Sequence, residues 1–443
     1  MSYFTSTLCA LFLTSCWVST AFADDHDEKI TIATVNNADM IRMQRYTHYF
    51  TEKTGIEVKW ITLEENMLRQ LITNDITSED GEFDLMTIGM YETPIWAQNG
   101  WLVPLDDLSD DYDVSDILPA ITEGLSYDGQ LFAAPFYGES SMVMYRTDLM
   151  EKAELSMPHA PTWRFISQAA AAMTDRDAGI SGICLRGKAG WGEGGAFITA
   201  MANSFGARWF DEDWNAQFDT APWFDTINFF KDLMEKTGPG DYATNGFNEN
   251  LNLFNQGKCG IWIDATVAGS FVTSEESVVA DNVGFALAPD LGLGRRSNWL
   301  WAWALAIPAS TDQAAAAKEF IEWSTGTDYI ELVAENEGWA KVPPGTRTSL
   351  YENPEYQNFP FAKVTIESIL LADPQNATVD PSPYVGVQFA SIPEFASIAS
   401  EVSQEFSAAY TGQQTVEEAL SRAQDITVQA MYAAGYRASS SPK

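Results

Sequence analysis

The stretch that decides the fold lies near the N-terminus and reads Ile30-Thr31-Ile32-Ala33-Thr34-Val35. A short run of β-branched residues of this kind predicts a strand. The runs that follow are residues 40–55 (helical spacing), 56–61 (strand-like), 64–71 (helical spacing) and 83–88 (strand-like). The order β-α-β-α-β predicts an α/β fold, an open sheet with helices on both faces.

Polar side chains stand where these predicted strands end. Ligands of open α/β sheets bind just beyond the carboxyl ends of the strands. This rule points to Asn36, Glu64 and Tyr91, one after each strand.

The alternation of predicted strands and helices ends in the middle of the chain. Two extended segments, residues 131–137 and 139–146, meet at Gly138, and a connection of this kind can carry the chain from one lobe to another. Residues from about 148 to 280 are then predicted to be mostly helical. The chain after residue 23 is too long for one ordinary core, so two lobes are expected.

The first 23 residues contain no Asp, Glu, Lys or Arg and resemble an export signal. Their apolar core ends in Ala21-Phe22-Ala23, with small residues at the −3 and −1 positions of a cleavage site. Leu13-Thr14-Ser15-Cys16 also resembles a lipoprotein box, which would leave Cys16 lipidated. We predict cleavage after Ala23 and a periplasmic protein, because that site lies at the boundary with charged Asp24. No later segment is long and apolar enough to predict a transmembrane helix.

The net charge is −37, and all of it lies after the predicted signal. A surface this acidic repels phosphate backbones, so nucleic acid is not expected as a partner. Solubility is the simplest explanation of the charge.

Two of the four cysteines, Cys184 and Cys259, follow the predicted signal, and both lie in strand-like segments. A pair of cysteines in an oxidising compartment favours a disulfide. Two buried free thiols remain the alternative.

Histidine is scarce, with His26, His48 and His159 in the whole chain. None lies at metal-ligand spacing from a Cys, a His or an acidic residue, so no metal site is expected. The Gly-rich segment 187–195 lacks the Lys-Ser/Thr pair of a phosphate-binding loop, and no cofactor is expected. We predict that the chain is not an enzyme, although paired carboxylates of the glycosidase kind stay open.

A tryptophan-rich run occupies residues 299–308. A strand would place its odd-numbered residues on one face; these are Trp299, Trp301, Trp303, Leu305 and Ile307. Core packing is expected for the last three. Trp299 and Trp301 lie near the preceding loop, where one of them could face a ligand.

Four segments occur in a familiar order: Trp96–Leu105, Tyr127–Pro135, Phe254–Lys258 and Ala302–Pro308. Together they resemble the extracellular solute-binding proteins of the maltose-binding type, the receptor components of ATP-driven (ABC) importers. The resemblance covers essentially the whole chain after the signal. Residues 31–37 and 184–193 further resemble receptors for sugar alcohols such as sorbitol and mannitol.

The resemblance implies a two-lobed periplasmic-binding-protein fold, each lobe an open α/β sheet flanked by helices. The lobes would be residues 24–136 plus 295–350 (N-terminal) and 137–294 plus 351–443 (C-terminal). Three hinge crossings are expected near residues 135–140, 289–299 and 345–354. A polyol or sugar would bind between the lobes of a monomer and pass to membrane permease subunits served by a cytoplasmic ATPase.

The family likeness also implies that Glu139 is a ligand-contacting carboxylate and Trp262 an aromatic platform. A polyol presents apolar C–H faces and many hydroxyls, which suit aromatic rings and carboxylate, amide or guanidinium groups. The candidate binding residues are Asn36, Glu64, Tyr91, Tyr137, Glu139, Arg186, Trp191, Trp262, Asp264 and Trp301. Structural alternatives stay open, namely a core position for Trp262 and a pairing of Arg186 with Glu193 or Asp264. A secreted carbohydrate-active enzyme and a polyamine receptor are the alternative functions.

Overall fold

The computed structural model describes Met1 and residues 28–436. The predicted export signal, with its alternative processing sites at Ala23 and Cys16, lies outside the described residues, as does His26.

Strands and helices alternate along the chain. The strands are β1 (Lys29–Val35), β2 (Glu57–Leu63), β3 (Leu85–Ile88), β4 (Ser126–Tyr127), β5 (Gln130–Leu131), β6 (Ala133–Glu139), β7 (Ser141–Arg146), β8 (Ser181–Cys184), β9 (Cys259–Ala265), β10 (Val283–Leu287) and β11 (Trp301–Ala306). The α-helices are α1 (Ala38–Thr54), α2 (Glu65–Ser78), α3 (Glu92–Gln98), α4 (Pro119–Gly124), α5 (Thr147–Lys152), α6 (Trp163–Met173), α7 (Ala196–Ser204), α8 (Ala221–Thr237), α9 (Phe247–Asn255), α10 (Gly269–Val272), α11 (Ala314–Thr325), α12 (Thr327–Glu337), α13 (Thr348–Glu352), α14 (Pro360–Leu370), α15 (Phe395–Tyr410) and α16 (Val416–Ala433).

The N-terminal lobe is built on a five-stranded sheet with the order β2-β1-β3-β11-β6. β1 pairs in parallel with β2 and β3, whereas β11 pairs antiparallel with β3 and β6. The strand order reverses after β2, so right-handed crossovers place α1 and α2 on opposite faces of the sheet. The predicted open α/β sheet is therefore confirmed, and the ends of β1 and β2 lie side by side.

The C-terminal lobe is built on a four-stranded sheet with the order β10-β7-β9-β8. Of its two central strands, β9 is buried throughout and β7 is buried over residues 141–144, and α14 packs against β7 and β10. Cys184 at the end of β8 and Cys259 at the start of β9 form a disulfide with Cα atoms 6.0 Å apart. The two cysteines are therefore bridged and are not two buried free thiols.

The chain passes directly from one sheet to the other at Ser140, between β6 and β7. β6 pairs in the first sheet as far as Glu139, three residues beyond the expected lobe boundary after residue 136. A second passage joins β10 to β11. A third passage precedes α14, which packs against the second sheet. Near this passage, the Gly138 N–H donates a hydrogen bond to the Pro344 carbonyl at 2.9 Å.

Candidate functional site

A cavity of about 100 Å³ lies between the two lobes at the carboxyl ends of β1 and β2. Asn36 follows β1, and Glu64 follows β2 and caps α2, where its carboxylate accepts a hydrogen bond from Asn66 N–H at 3.0 Å. Both line the cavity, which lies at the sheet edge to which the strand-end rule points.

Three indole rings form one wall. Trp299, Trp301 and Trp303 all line the cavity, because alternate residues of an extended segment share one face. The rings of Trp301 and Trp303 lie 5.5 Å apart, edge to face. Trp303 was expected to belong only to the core, and the structure places it in this wall as well.

Asp264 fixes Arg186 beside Trp299, with the guanidinium carbon 5.6 Å from the centre of the Trp299 ring. Its Nε lies 3.0 Å from both carboxylate oxygens of Asp264, and its Nη1 lies 3.2 Å from Gly192 O. Burial opposes the positive charge, but the carboxylates of Asp264 and Glu193 outweigh it, so the pKa of Arg186 is raised. Arg186 therefore presents a fixed, charged donor group to the cavity.

Glu139 contributes a carboxyl group from the end of β6. Burial raises its pKa to about 8; Asp264 and Glu65 add to this effect, and Arg186 opposes it. A protonated carboxyl can both donate and accept hydrogen bonds, which matches the hydroxyl groups of a polyol.

Lys188 joins the two lobes beside the cavity. Its Nζ lies 2.6 Å from Glu64 Oε1 in the N-terminal lobe and 3.2 Å from Glu193 Oε1 in its own lobe. Asn248 Nδ2 donates to Asn36 O at 3.2 Å, a second contact between the lobes. The described structure is thus a closed arrangement.

Gly192, in the loop before α7, lies against the side chains of α2. A Cβ atom on Gly192 would lie 1.9 Å from Glu65 Oε1 and 3.0 Å from Arg69 Nε. A larger residue would therefore displace the Glu65–Arg69 ion pair at the contact between the lobes.

Seven of the ten predicted binding residues line the cavity: Asn36, Glu64, Tyr137, Glu139, Arg186, Trp191 and Trp301. Their contact with a ligand stays a prediction.

The other three, Tyr91, Trp262 and Asp264, lie outside the cavity wall. Trp262 is completely buried, and its indole N–H donates to Asp264 at 3.0 Å. Asp264 supports Arg186 from behind, and Trp262 in turn holds Asp264, in the core position that was the alternative for Trp262. The Tyr91 hydroxyl bonds the backbone of the opposite lobe, 3.0 Å from Ile392 O.

Several residues of the cavity were not predicted from the sequence. Phe247, Asn248 and Gln388 come from loops and helix starts distant in sequence, and no local pattern indicates them. Arg69 had a detectable signal, since it lies one helical turn after Glu65, and its Nη2 is 2.9 Å from Glu65 Oε1.

Within residues 28–436, no group of three or more His, Cys, Asp or Glu side chains is placed to hold a metal ion. None of the described helices combines the length and apolar character of a membrane span.

Comparison with known proteins gives a consistent result. The family model described as "Bacterial extracellular solute-binding protein" matches residues 37–331. A mannitol-binding protein of Pseudomonas aeruginosa is 51% identical over 92% of this chain and 94% of its own length. An ABC transporter solute-binding protein of Agrobacterium vitis S4, solved with bound D-mannitol, is 61% identical with a TM-score of 0.92, covering 93% of this chain and 100% of that one. A ribitol complex from Agrobacterium radiobacter K84 shares the fold at 22% identity and a TM-score of 0.80, covering 92% of this chain and 98% of that one.

Proposed function

Since the chain belongs to the family of bacterial extracellular solute-binding proteins, we propose that it is the receptor component of an ABC importer and captures a sugar alcohol of the mannitol type. The ligand is held between the lobes in the cavity described above. The mannitol-binding protein of P. aeruginosa and the mannitol complex from A. vitis support this ligand class.

The observation that carries the proposal is the combination of three indole rings with fixed polar groups in one cavity between the lobes. Trp299, Trp301 and Trp303 offer flat apolar surface to the C–H faces of a polyol. Arg186 and Glu139 offer hydrogen bonds to its hydroxyls.

Isothermal titration calorimetry with D-mannitol, D-sorbitol, D-arabitol, D-glucose and maltose tests the proposal. We expect the tightest binding among the alditols, a rise in melting temperature with the same ligands, and no binding of maltose. If no alditol bound while another class of solute did, the ligand assignment would be wrong although the fold assignment would stand.

A polyamine receptor is the weaker alternative for this cavity. A cationic ligand needs carboxylates that are free to pair with it. Of the carboxylates that line the cavity, Glu193 is engaged by Arg186 and Lys188. Lys188 also engages Glu64, and Arg69 engages Glu65. Putrescine and spermidine belong in the calorimetric screen, and their binding would favour this alternative.

We further propose that the bound solute is released unchanged. Of the five carboxyl groups that line the cavity, Glu64, Glu65 and Glu193 are paired with cations and Glu249 caps α9. Glu139 is therefore left without a free carboxylate partner for glycoside hydrolysis. Prolonged incubation with aryl glycosides and maltose, followed by product analysis, should detect no turnover.

The remaining assignments follow from the family. We propose a monomer of two lobes, residues 24–136 plus 295–350 and 137–294 plus 351–443, with the difference that β6 keeps residues 137–139 in the first lobe. We propose that its closed form is recognised by permease subunits served by a cytoplasmic ATPase. We propose export to the periplasm with cleavage after Ala23. Light scattering of the purified protein and mass spectrometry of its N-terminus test these points, and a lipid-modified Cys16 would replace the cleavage proposal.

A further inference from the structure

A second, larger cavity adjoins the first. It measures about 560 Å³ and lies between α2 and α3 of the N-terminal lobe and the start of α15 in the C-terminal lobe. Arg69 and Trp191 line both cavities and therefore stand between them.

These two residues form a tight contact between the lobes. The Arg69 guanidinium carbon lies 4.0 Å from the centre of the Trp191 ring, which is a cation–π contact. Arg69 is fixed by Glu65, with Nε to Oε1 at 3.0 Å, and by an ion pair with Glu92. Trp191 packs against Tyr91, with ring centres 5.0 Å apart. Arg69 belongs to α2 and Trp191 to the opposite lobe. The Arg69–Trp191 pair is therefore a partition between the two cavities that forms when the lobes close.

The second cavity has the chemistry of a carbohydrate site. Its polar lining includes the neutral amides and hydroxyls of Asn66, Gln70, Thr73, Asn74, Asn99 and Gln404. Trp96 and Trp101 add aromatic surface. Amides and hydroxyls beside indole rings suit the hydroxyls and C–H faces of a sugar unit.

We propose that the Arg69–Trp191 pair sets the length of the ligand. It confines the ligand to one open-chain polyol and excludes glycosylated polyols, whose sugar unit would have to pass into the second cavity. The inference rests on the proposed function, because length selection presupposes a polyol in the first cavity.

Calorimetry with D-mannitol and with maltitol, a glucosylated hexitol, tests the inference. The wild-type protein is expected to bind mannitol and not maltitol. Trp191→Ala should bind maltitol within about tenfold of its own mannitol affinity, because the partition is open. Trp299→Ala, which removes an indole that lines the first cavity but not the second, should weaken mannitol binding without admitting maltitol.

A blocking variant makes the test specific to the second cavity. Adding Thr73→Trp to Trp191→Ala should abolish maltitol binding and leave the mannitol affinity of Trp191→Ala within about threefold. Loss of maltitol binding is expected because the new indole fills the space that the sugar unit would occupy.

The outcomes separate the two proposals. A wild-type protein that binds no alditol contradicts the proposed function, and the length inference falls with it. A wild-type protein that binds mannitol and maltitol equally, or a folded Trp191→Ala variant that binds mannitol but not maltitol, overturns the length inference alone. If Trp191→Ala lacks a cooperative thermal transition, Trp191→Leu replaces it under the same criteria.

Discussion

Lys188 Nζ in the C-terminal lobe lies 2.6 Å from Glu64 Oε1 in the N-terminal lobe, so one ion pair spans the edge of the cavity. Both side chains are partly exposed, at 25% and 43%, and the pair is expected to contribute less than about 1 kcal/mol. Its position matters more than its strength, because it exists only while the lobes are together.

Glu64→Gln should therefore weaken mannitol binding modestly, by about two- to fivefold, and mainly at low salt. Gln keeps an oxygen that can accept the capping hydrogen bond from Asn66 N–H, so α2 stays intact. Calorimetry at low and high ionic strength measures the effect. Identical affinities for the variant and the wild type at low salt would show that the pair does not contribute to closure.

Glu139 should make stability depend on pH. Burial raises its pKa to about 8 in the folded protein, whereas an unfolded chain has a glutamate pKa near 4.5. The folded state then binds the extra proton, so the free energy of unfolding decreases as pH rises from about 5 to about 8, by up to about 1.4 kcal/mol per pH unit.

Glu139→Gln cannot titrate and should show a shallower pH dependence. Glu193 has a pKa raised by burial as well, so the comparison of the two proteins isolates the contribution of Glu139. Urea unfolding at pH 5, 6, 7 and 8 provides the measurement. Parallel stability curves would indicate that Glu139 is ionised throughout this range.

The Arg186–Asp264 pair should be essential to both stability and binding. Asp264→Asn leaves a buried guanidinium without its charge partner, which is expected to cost about 3 kcal/mol or more. Mannitol affinity should fall at least tenfold, because Arg186 loses its fixed orientation.

The matched control is Asp232→Asn, which breaks an exposed ion pair with Lys236 on α8. Its effect should stay below about 0.5 kcal/mol, with unchanged mannitol affinity. Urea unfolding and calorimetry compare the two variants, and equal effects would contradict the special role of the buried pair.

The disulfide should stabilise the C-terminal lobe. It links residues 75 apart in sequence, and loop-closure entropy predicts a contribution of about 4 kcal/mol. The double variant Cys184→Ala/Cys259→Ala should therefore unfold at a lower urea concentration. When the wild type is unfolded and refolded with reductant present, it should unfold at a lower urea concentration than without reductant, whereas the double variant should not change. An equal effect of reductant on both proteins would argue against the bridge.

The N-terminal sheet was predictable because its signals are local. The β-branched run of β1 and the helical spacing of α1 indicate their own structures, and Asn36 and Glu64 follow from where strands end. Residues such as these can be predicted from short-range sequence patterns and from the general rule for open α/β sheets.

The rest of the site depends on contacts between distant segments. Trp262 and Asp264 share one face of β9, but the sequence does not reveal that Arg186 stands between them and the cavity. Gln388 reaches the site because its amide pairs with the backbone of Leu300, and that pairing joins residues 88 apart. Such residues can be assigned to the site only when the packing of the two lobes is known.

The disulfide also links the place where the protein works to the way its site is built. Cys184 lies two residues before Arg186, and Cys259 begins the strand that carries Asp264. Oxidation of this one pair therefore ties together the two strands whose ends form the charged wall of the cavity. A compartment that oxidises thiols therefore cross-links the strands behind the charged wall of the cavity as well as stabilising the fold. A chain made in a reducing compartment would lack this covalent link between the strands that carry Arg186 and Asp264.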